Sequence, residues 1–138
     1  MKREVLPLMG RVKEIKKDDV FEVLRQVYDP DYWVLDKSII DLGLVREDDV
    51  RLTRNRIDIA YDLEASFCVF GSEIGVMIKY ALEKKLRKHT NVRLKPTHPQ
   101  AKDVNRILQS DEEREKLLKR LDCCGVLQQC VRIKGRSS

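Results

Sequence analysis

The chain has 138 residues, 37% of them charged and 42% apolar, with a formal net charge of +5. That length fits one domain able to bury roughly two-thirds of its unfolded surface without disulfide support. No apolar run reaches the ~18 residues of a membrane span. The patch Val5-Leu6-Pro7-Leu8-Met9 is also too short for a secretory core of about 7–15 residues, so a soluble cytoplasmic, and also nuclear, protein is expected. The net charge hides a segregation: residues 1–17 carry +4, 18–64 carry −7, 65–100 carry +5 and 101–138 carry +3. An acidic middle between basic ends suits docking of protein partners better than coating a phosphate backbone.

In chain order, residues 1–17 read as a basic N-terminal arm. Asp19 and Glu22 then have the spacing of a capping box. Val20, Val23, Leu24 and Val27 recur on one helical face, and Pro30 should end that helix. Tyr32 and Trp33 are expected to cover a core edge. The run Ile39-Ile40-Asp41-Leu42-Gly43-Leu44-Val45 leads to a strand around Val50 and Leu52. Thr53-Arg54-Asn55-Arg56 suits a hairpin turn, with Asn able to enter the left-handed region. Ile57, Ile59, Tyr61 and Leu63 alternate with polar residues, the pattern of a half-buried antiparallel strand.

A second helix should place Ile74, Met77, Ile78, Ala81, Leu82 and Leu86 on one face, with Lys84, Lys85, Arg87 and Lys88 at its C-terminal end. Asn91 to Lys95 reads as a third strand. A helical stretch from about Lys102 to Leu121 should break at Ser110-Asp111-Glu112-Glu113, and a last helical turn lies around Val126–Val131, before a basic tail over 132–138. The order helix, strand, strand, helix, strand, helix predicts an α+β fold in two layers. A small, mostly antiparallel sheet would be followed by C-terminal helices, in a single domain over 18–131.

Signatures of catalysis are missing. There is no phosphate-binding glycine loop, no serine nucleophile elbow and no paired-histidine zinc helix, so the chain reads as a non-enzyme. Of the two histidines, His89 sits at a basic helix end and suits a cap or a solvated position. Cysteines stand at 68, 123, 124 and 130 without a Cys-x-x-Cys pair, which argues against a zinc ribbon. Cys123 and Cys124 fit the role of small buried hydrophobes. Cys68 differs, because it precedes the N-terminus of the second helix, where backbone N–H groups stabilise a thiolate.

Taken together, these segments resemble a known family. Val27-Tyr28-Asp29-Pro30-Asp31, Ile40-Asp41-Leu42-Gly43-Leu44-Val45, Cys68 and Ile74-Gly75 follow in the order seen in the small iron–sulfur assembly proteins. Those proteins include the small subunit of the cytosolic iron–sulfur cluster assembly targeting complex, with SufT and PaaD as distant relatives. Thr97-His98, Asp103-Val104-Asn105-Arg106, Asp111-Glu112-Glu113-Arg114 and Gln129-Cys130-Val131 resemble segments of the eukaryotic-type branch. Two departures stand out. The family's Pro and His before the cysteine are replaced by Ala65-Ser66-Phe67, and Pro96 stands where a Gly precedes the Thr-His pair.

The resemblance implies an adaptor that helps deliver iron–sulfur clusters to apo-proteins, DNA-maintenance enzymes among them. Its partners would be a WD-repeat β-propeller protein, a helical-repeat scaffold protein and apo iron–sulfur clients, and it would form homodimers. Cys68 matches the family's working thiol, and Cys130 and His98 match further recurrent positions and so become candidate metal ligands. One cysteine cannot hold a cluster alone, so an iron–sulfur cluster would be transient and shared with a partner. The alternatives are an interaction module without metal or thiol chemistry, and a weak nucleic-acid binder using the basic arm and the cluster around Lys84–Lys88. The acidic 18–64 block and the 6% aromatic content count against nucleic acid.

Overall fold

A computed structural model describes residues 14–30 and 36–133. Five helices and three strands are present in them: α1 (Lys17–Leu24), β1 (Val50–Leu52), β2 (Ile57–Tyr61), α2 (Gly71–Leu86), β3 (Thr90–Leu94), α3 (Ala101–Leu108), α4 (Asp111–Cys123) and α5 (Val126–Cys130). The fold is α+β, as the element order predicts. No helix of the described residues is long and apolar enough to cross a membrane. Residues 1–13 of the expected basic arm over 1–17, Tyr32, Trp33 and residues 134–138 of the tail lie outside the described residues, and the end of the arm at Lys17 already belongs to α1.

The sheet has the order β1-β2-β3. It is mixed, which corrects the expectation of a mostly antiparallel sheet. β1 and β2 pair antiparallel, with Val50 opposite Ile59, whereas β2 and β3 pair parallel, with Ile57 opposite Thr90 and Tyr61 opposite Leu94. The cause is the connection: a 16-residue helix between β2 and β3 returns the chain to the start of the sheet, so the next strand runs the same way. The four-residue turn is held by Thr53, which donates its backbone N–H to the Arg56 carbonyl (3.0 Å) and accepts from the Arg56 N–H on its hydroxyl (3.1 Å). Asn55 does not use the left-handed region; among the described residues the non-glycine ones that do are Asp36 and Arg87.

Two helix ends differ from the sequence reading. Asp19 is the third residue of α1 rather than its cap, and its carboxylate accepts from the Lys16 N–H at 2.9 Å. The helix stops at Leu24, well before Pro30, because the following residues are taken up by distant parts of the chain. Val27 bridges Val131, and the Tyr28 N–H donates to the Cys130 carbonyl at 2.6 Å. Arg132 lies over the Tyr28 ring at 3.8 Å, and Ile133 packs on the core, so the start of the expected tail belongs to the domain. The break between α3 and α4 is where the sequence puts it, with the Ser110 hydroxyl accepting from the Glu113 N–H at 3.2 Å.

The core is one cluster built from the inward residues of β2 and β3 and from Ile74, Met77, Ile78, Ala81 and Leu82 of α2. α2 packs on β3, α1, α3 and α4, so it is the hub of the domain. Each fully buried aliphatic side chain contributes about 1.5–3 kcal/mol. The closest approach in this packing is at Gly75. A Cβ there would lie 2.7 Å from the Tyr61 hydroxyl and 2.9 Å from the nearer Leu108 methyl. Gly75→Ala is expected to cost about 1–3 kcal/mol in urea unfolding, because overpacking forces the helix off the strand. Gly43→Asn, at φ 74° with nothing within 4 Å, is expected to cost less than ~1 kcal/mol.

Candidate functional site

The segment between β2 and α2 carries Cys68, and three other parts of the chain fix it. At its start, the Asp62 N–H donates to the Leu44 carbonyl at 2.8 Å. The Ile40–Val45 motif thereby acquires a physical role. Ser38 and Asp41 exchange side-chain and backbone hydrogen bonds, Gly43 turns the chain at positive φ, and Leu44 and Val45 enter the core. In the middle, His98 holds Ala65. Farther on, Gln100 binds both polar backbone atoms of Cys68, with its Oε1 accepting from the N–H at 2.7 Å and its Nε2 donating to the carbonyl at 3.1 Å. The side-chain amide thus replaces a strand partner for this one residue. Asn105 does the same for Leu94 at the end of β3, with bonds of 2.8 and 3.0 Å.

The tautomer of His98 follows from its neighbours. Its Nδ1 accepts from the Gln100 N–H at 3.0 Å, so Nε2 carries the proton and donates to the Ala65 carbonyl at 2.8 Å. Both ring nitrogens are therefore committed, and the ring is buried. His98 positions the Cys68 segment and has no lone pair left for a metal in this arrangement.

Around Cys68 the side chains divide sharply by exposure. Cys68 is half-buried against the core, while Phe67 and Val69 on either side of it are 69% and 65% exposed. They are the large apolar side chains that stand out in solvent among the described residues. Beneath the segment, the buried Tyr61 hydroxyl donates to the Gly71 carbonyl at 2.6 Å. Burial, reinforced by the charges at Glu73 and Cys68, pushes the Tyr61 hydroxyl far above its ordinary range, so it stays a neutral donor. Glu73, in the first turn of α2, has its carboxyl pushed up by burial, opposed by its own backbone N–H and by Arg120.

Cys130 belongs to a different place. It is fully buried at the end of α5, where its carbonyl accepts from the Tyr28 N–H, and its thiol is pushed up to about 11 by burial and by the Asp29 charge, against the pull of Arg132. Cys123 and Cys124 are exposed, contrary to the expectation that they pack inside. His89 is exposed as well, 3.4 Å from Glu83. The three candidate ligands are thus not gathered at one point. Among the described residues no group of three or more His, Cys, Asp or Glu side chains could hold a metal ion. Among the described residues, the donors of one chain do not fit a resident iron–sulfur cluster.

Gln100 and Glu73 carry no local signal that marks them in the sequence, and the alternation that places Tyr61 in a strand gives no sign of its bond to Gly71. Gly75 does carry one, as a glycine inside a strongly apolar helix. No protein-family model matches the chain, and no curated protein matches it.

Two outcomes check this geometry. Glu73→Gln is expected to raise the urea midpoint at neutral pH. A carboxyl whose folded pKa is raised stabilises only when protonated, so its contribution is present below the unfolded value and lost as pH rises through the folded one. The gain should vanish in acid. In thiol alkylation at mildly alkaline pH, Cys123 and Cys124 are expected to react first and Cys130 last, by at least about a hundredfold, because burial and a raised pKa both withhold its thiolate.

Proposed function

We propose that this chain is an adaptor in cytosolic iron–sulfur cluster delivery to apo-proteins, with Cys68 as its working thiol. The observation that carries the reading is the segment 67–69. A cysteine is held by its backbone, next to the N-terminus of α2, between two exposed apolar side chains. That arrangement supports a thiol that meets a protein surface rather than a small substrate. Phe67 and Val69 supply the contact, and the clamp from Gln100 and His98 removes the entropy cost of ordering the segment on binding. The cluster is cargo in this reading. Its other ligands come from a second subunit or a partner, since thiolates are its natural donors and one chain supplies too few in one place. The WD-repeat and helical-repeat partners, the homodimer and the iron–sulfur clients belong to the same proposal and rest on the resemblance of the motif series.

A second reading has its own support. Cys68 packs against the core, and both its N–H and its carbonyl are bonded, as expected of a structural residue in an interaction module without thiol chemistry. Substitutions separate the two. In cells lacking the endogenous protein, Cys68→Ser is expected to lower the activity of a client iron–sulfur enzyme at least about tenfold, with an unchanged melting temperature. Full client activity with Cys68→Ser, combined with loss of activity on Phe67→Ser/Val69→Ser, establishes the interaction module instead.

A further inference from the structure

At the opposite end of α2, an open cleft of about 1140 Å³ lies between that helix end, the β1–β2 turn and the start of α1. Its floor includes Ile15, Leu52 and Leu86, all half-buried, and its rim carries Arg54, Lys85, Arg87 and Lys88. Against these cations stand Glu14 and Asp19, and the Asp19 carboxylate already accepts from the Lys16 N–H. No ion pair among the described residues uses Arg54, Arg87 or Lys88. Arg87 is also strained. It closes α2 at φ 56°, a left-handed position where glycine is the favoured residue. A residue held in left-handed backbone, on the rim of a cleft where Arg54, Arg87 and Lys88 make no ion pair among the described residues, points to binding.

We propose that this cleft docks an acidic peptide segment of a partner protein, with one or two aliphatic side chains on the Leu52–Leu86 floor and carboxylates against Arg54, Arg87 and Lys88. Nucleic acid fits less well, because the lining offers no Phe, Tyr or Trp for base stacking and its floor of Ile15, Leu52 and Leu86 suits aliphatic side chains rather than a phosphate backbone. The chain's own first thirteen residues fit less well too, since they carry four basic side chains against one acidic. The proposal is independent of the thiol reading. The 16 residues of α2 separate the two ends by about 24 Å.

The test uses the full chain and a fluorescein-labelled peptide of alternating Glu and Leu, followed by anisotropy at near-physiological salt. Micromolar binding is expected, weakened at least about tenfold by Arg54→Glu/Lys88→Glu and unchanged by Cys68→Ser. Arg87→Gly is the diagnostic variant: it should melt at a higher temperature, because glycine suits the left-handed position, yet bind several-fold more weakly. Undetectable peptide binding overturns the proposal, as does equal binding by Arg87→Gly or by the double charge reversal. Tighter binding of a single-stranded oligonucleotide, with affinity falling steeply with salt, overturns it in favour of a phosphate surface. Self-association in sedimentation velocity that the double reversal abolishes overturns it in favour of a second copy.

Discussion

The contact on which the domain turns is a tyrosine hydroxyl against a helix. Tyr61 ends β2 inside the protein and must satisfy its O–H there, since an unpaired buried hydroxyl costs about 1–3 kcal/mol. It does so by donating to the Gly71 carbonyl at the first turn of α2. A Cβ at Gly75 would occupy the space that the hydroxyl uses, so the helix can sit this low on the strand only with glycine there. Residues 62–70 must then span a fixed gap. The exposure of Phe67 and Val69, and the half-burial of Cys68 between them, follow from how short that span is and how firmly it is tied at both ends.

Those ties come from side chains acting as backbone. Gln100 offers Cys68 the donor and acceptor that a neighbouring strand would offer, and His98 holds Ala65 through one nitrogen while the other is held by the Gln100 N–H. The 95–100 loop is itself anchored, by the Lys95 N–H on the Tyr61 carbonyl and by the Lys95 ammonium on Asp49 at 3.0 Å. Cys68 is therefore placed by a chain of short polar contacts that leads back to the same tyrosine. Ordering of this kind suits a residue that must present itself to a partner in one pose.

How much of this could be read beforehand depended on the range of the cause. The alternation at Ile57, Ile59 and Tyr61, the Ser110 break and the apolar face of α2 are local patterns, and they reappear in the fold. The direction of β3 is nearly local, since a 16-residue helical connection already implies a parallel partner. The end of α1 is not local: Val27 leaves the helix to meet Val131, about a hundred positions away, and no rule read along the chain predicts that. The candidate site divides in the same way. Cys68 was marked by its position before a helix, but the Gln100 amide and the shielded Glu73 depend on tertiary neighbours. His98 and Cys130 are candidate ligands on the resemblance of their motifs alone. A motif gives the identity of a residue and not what surrounds it, and here the surroundings commit both histidine nitrogens and bury the second thiol.

The two ends of α2 now carry opposite arguments from the same helix. At its N-terminus the backbone N–H groups favour negative charge at the nearby thiol, while burial holds the Glu73 carboxyl toward its neutral form and Phe67 and Val69 supply exposed apolar contact. At its C-terminus the last carbonyls favour cations, which accounts for Lys84 and Lys85 on electrostatic grounds alone. Arg87 goes beyond that account, because a dipole could be answered by a lysine one turn earlier without left-handed backbone. The segregated charge of the sequence thus resolves into a rigid rod with a thiol-bearing apolar tip at one end and a cationic cleft at the other. At about 24 Å apart, the two ends are too far from each other for one small ligand to bridge them.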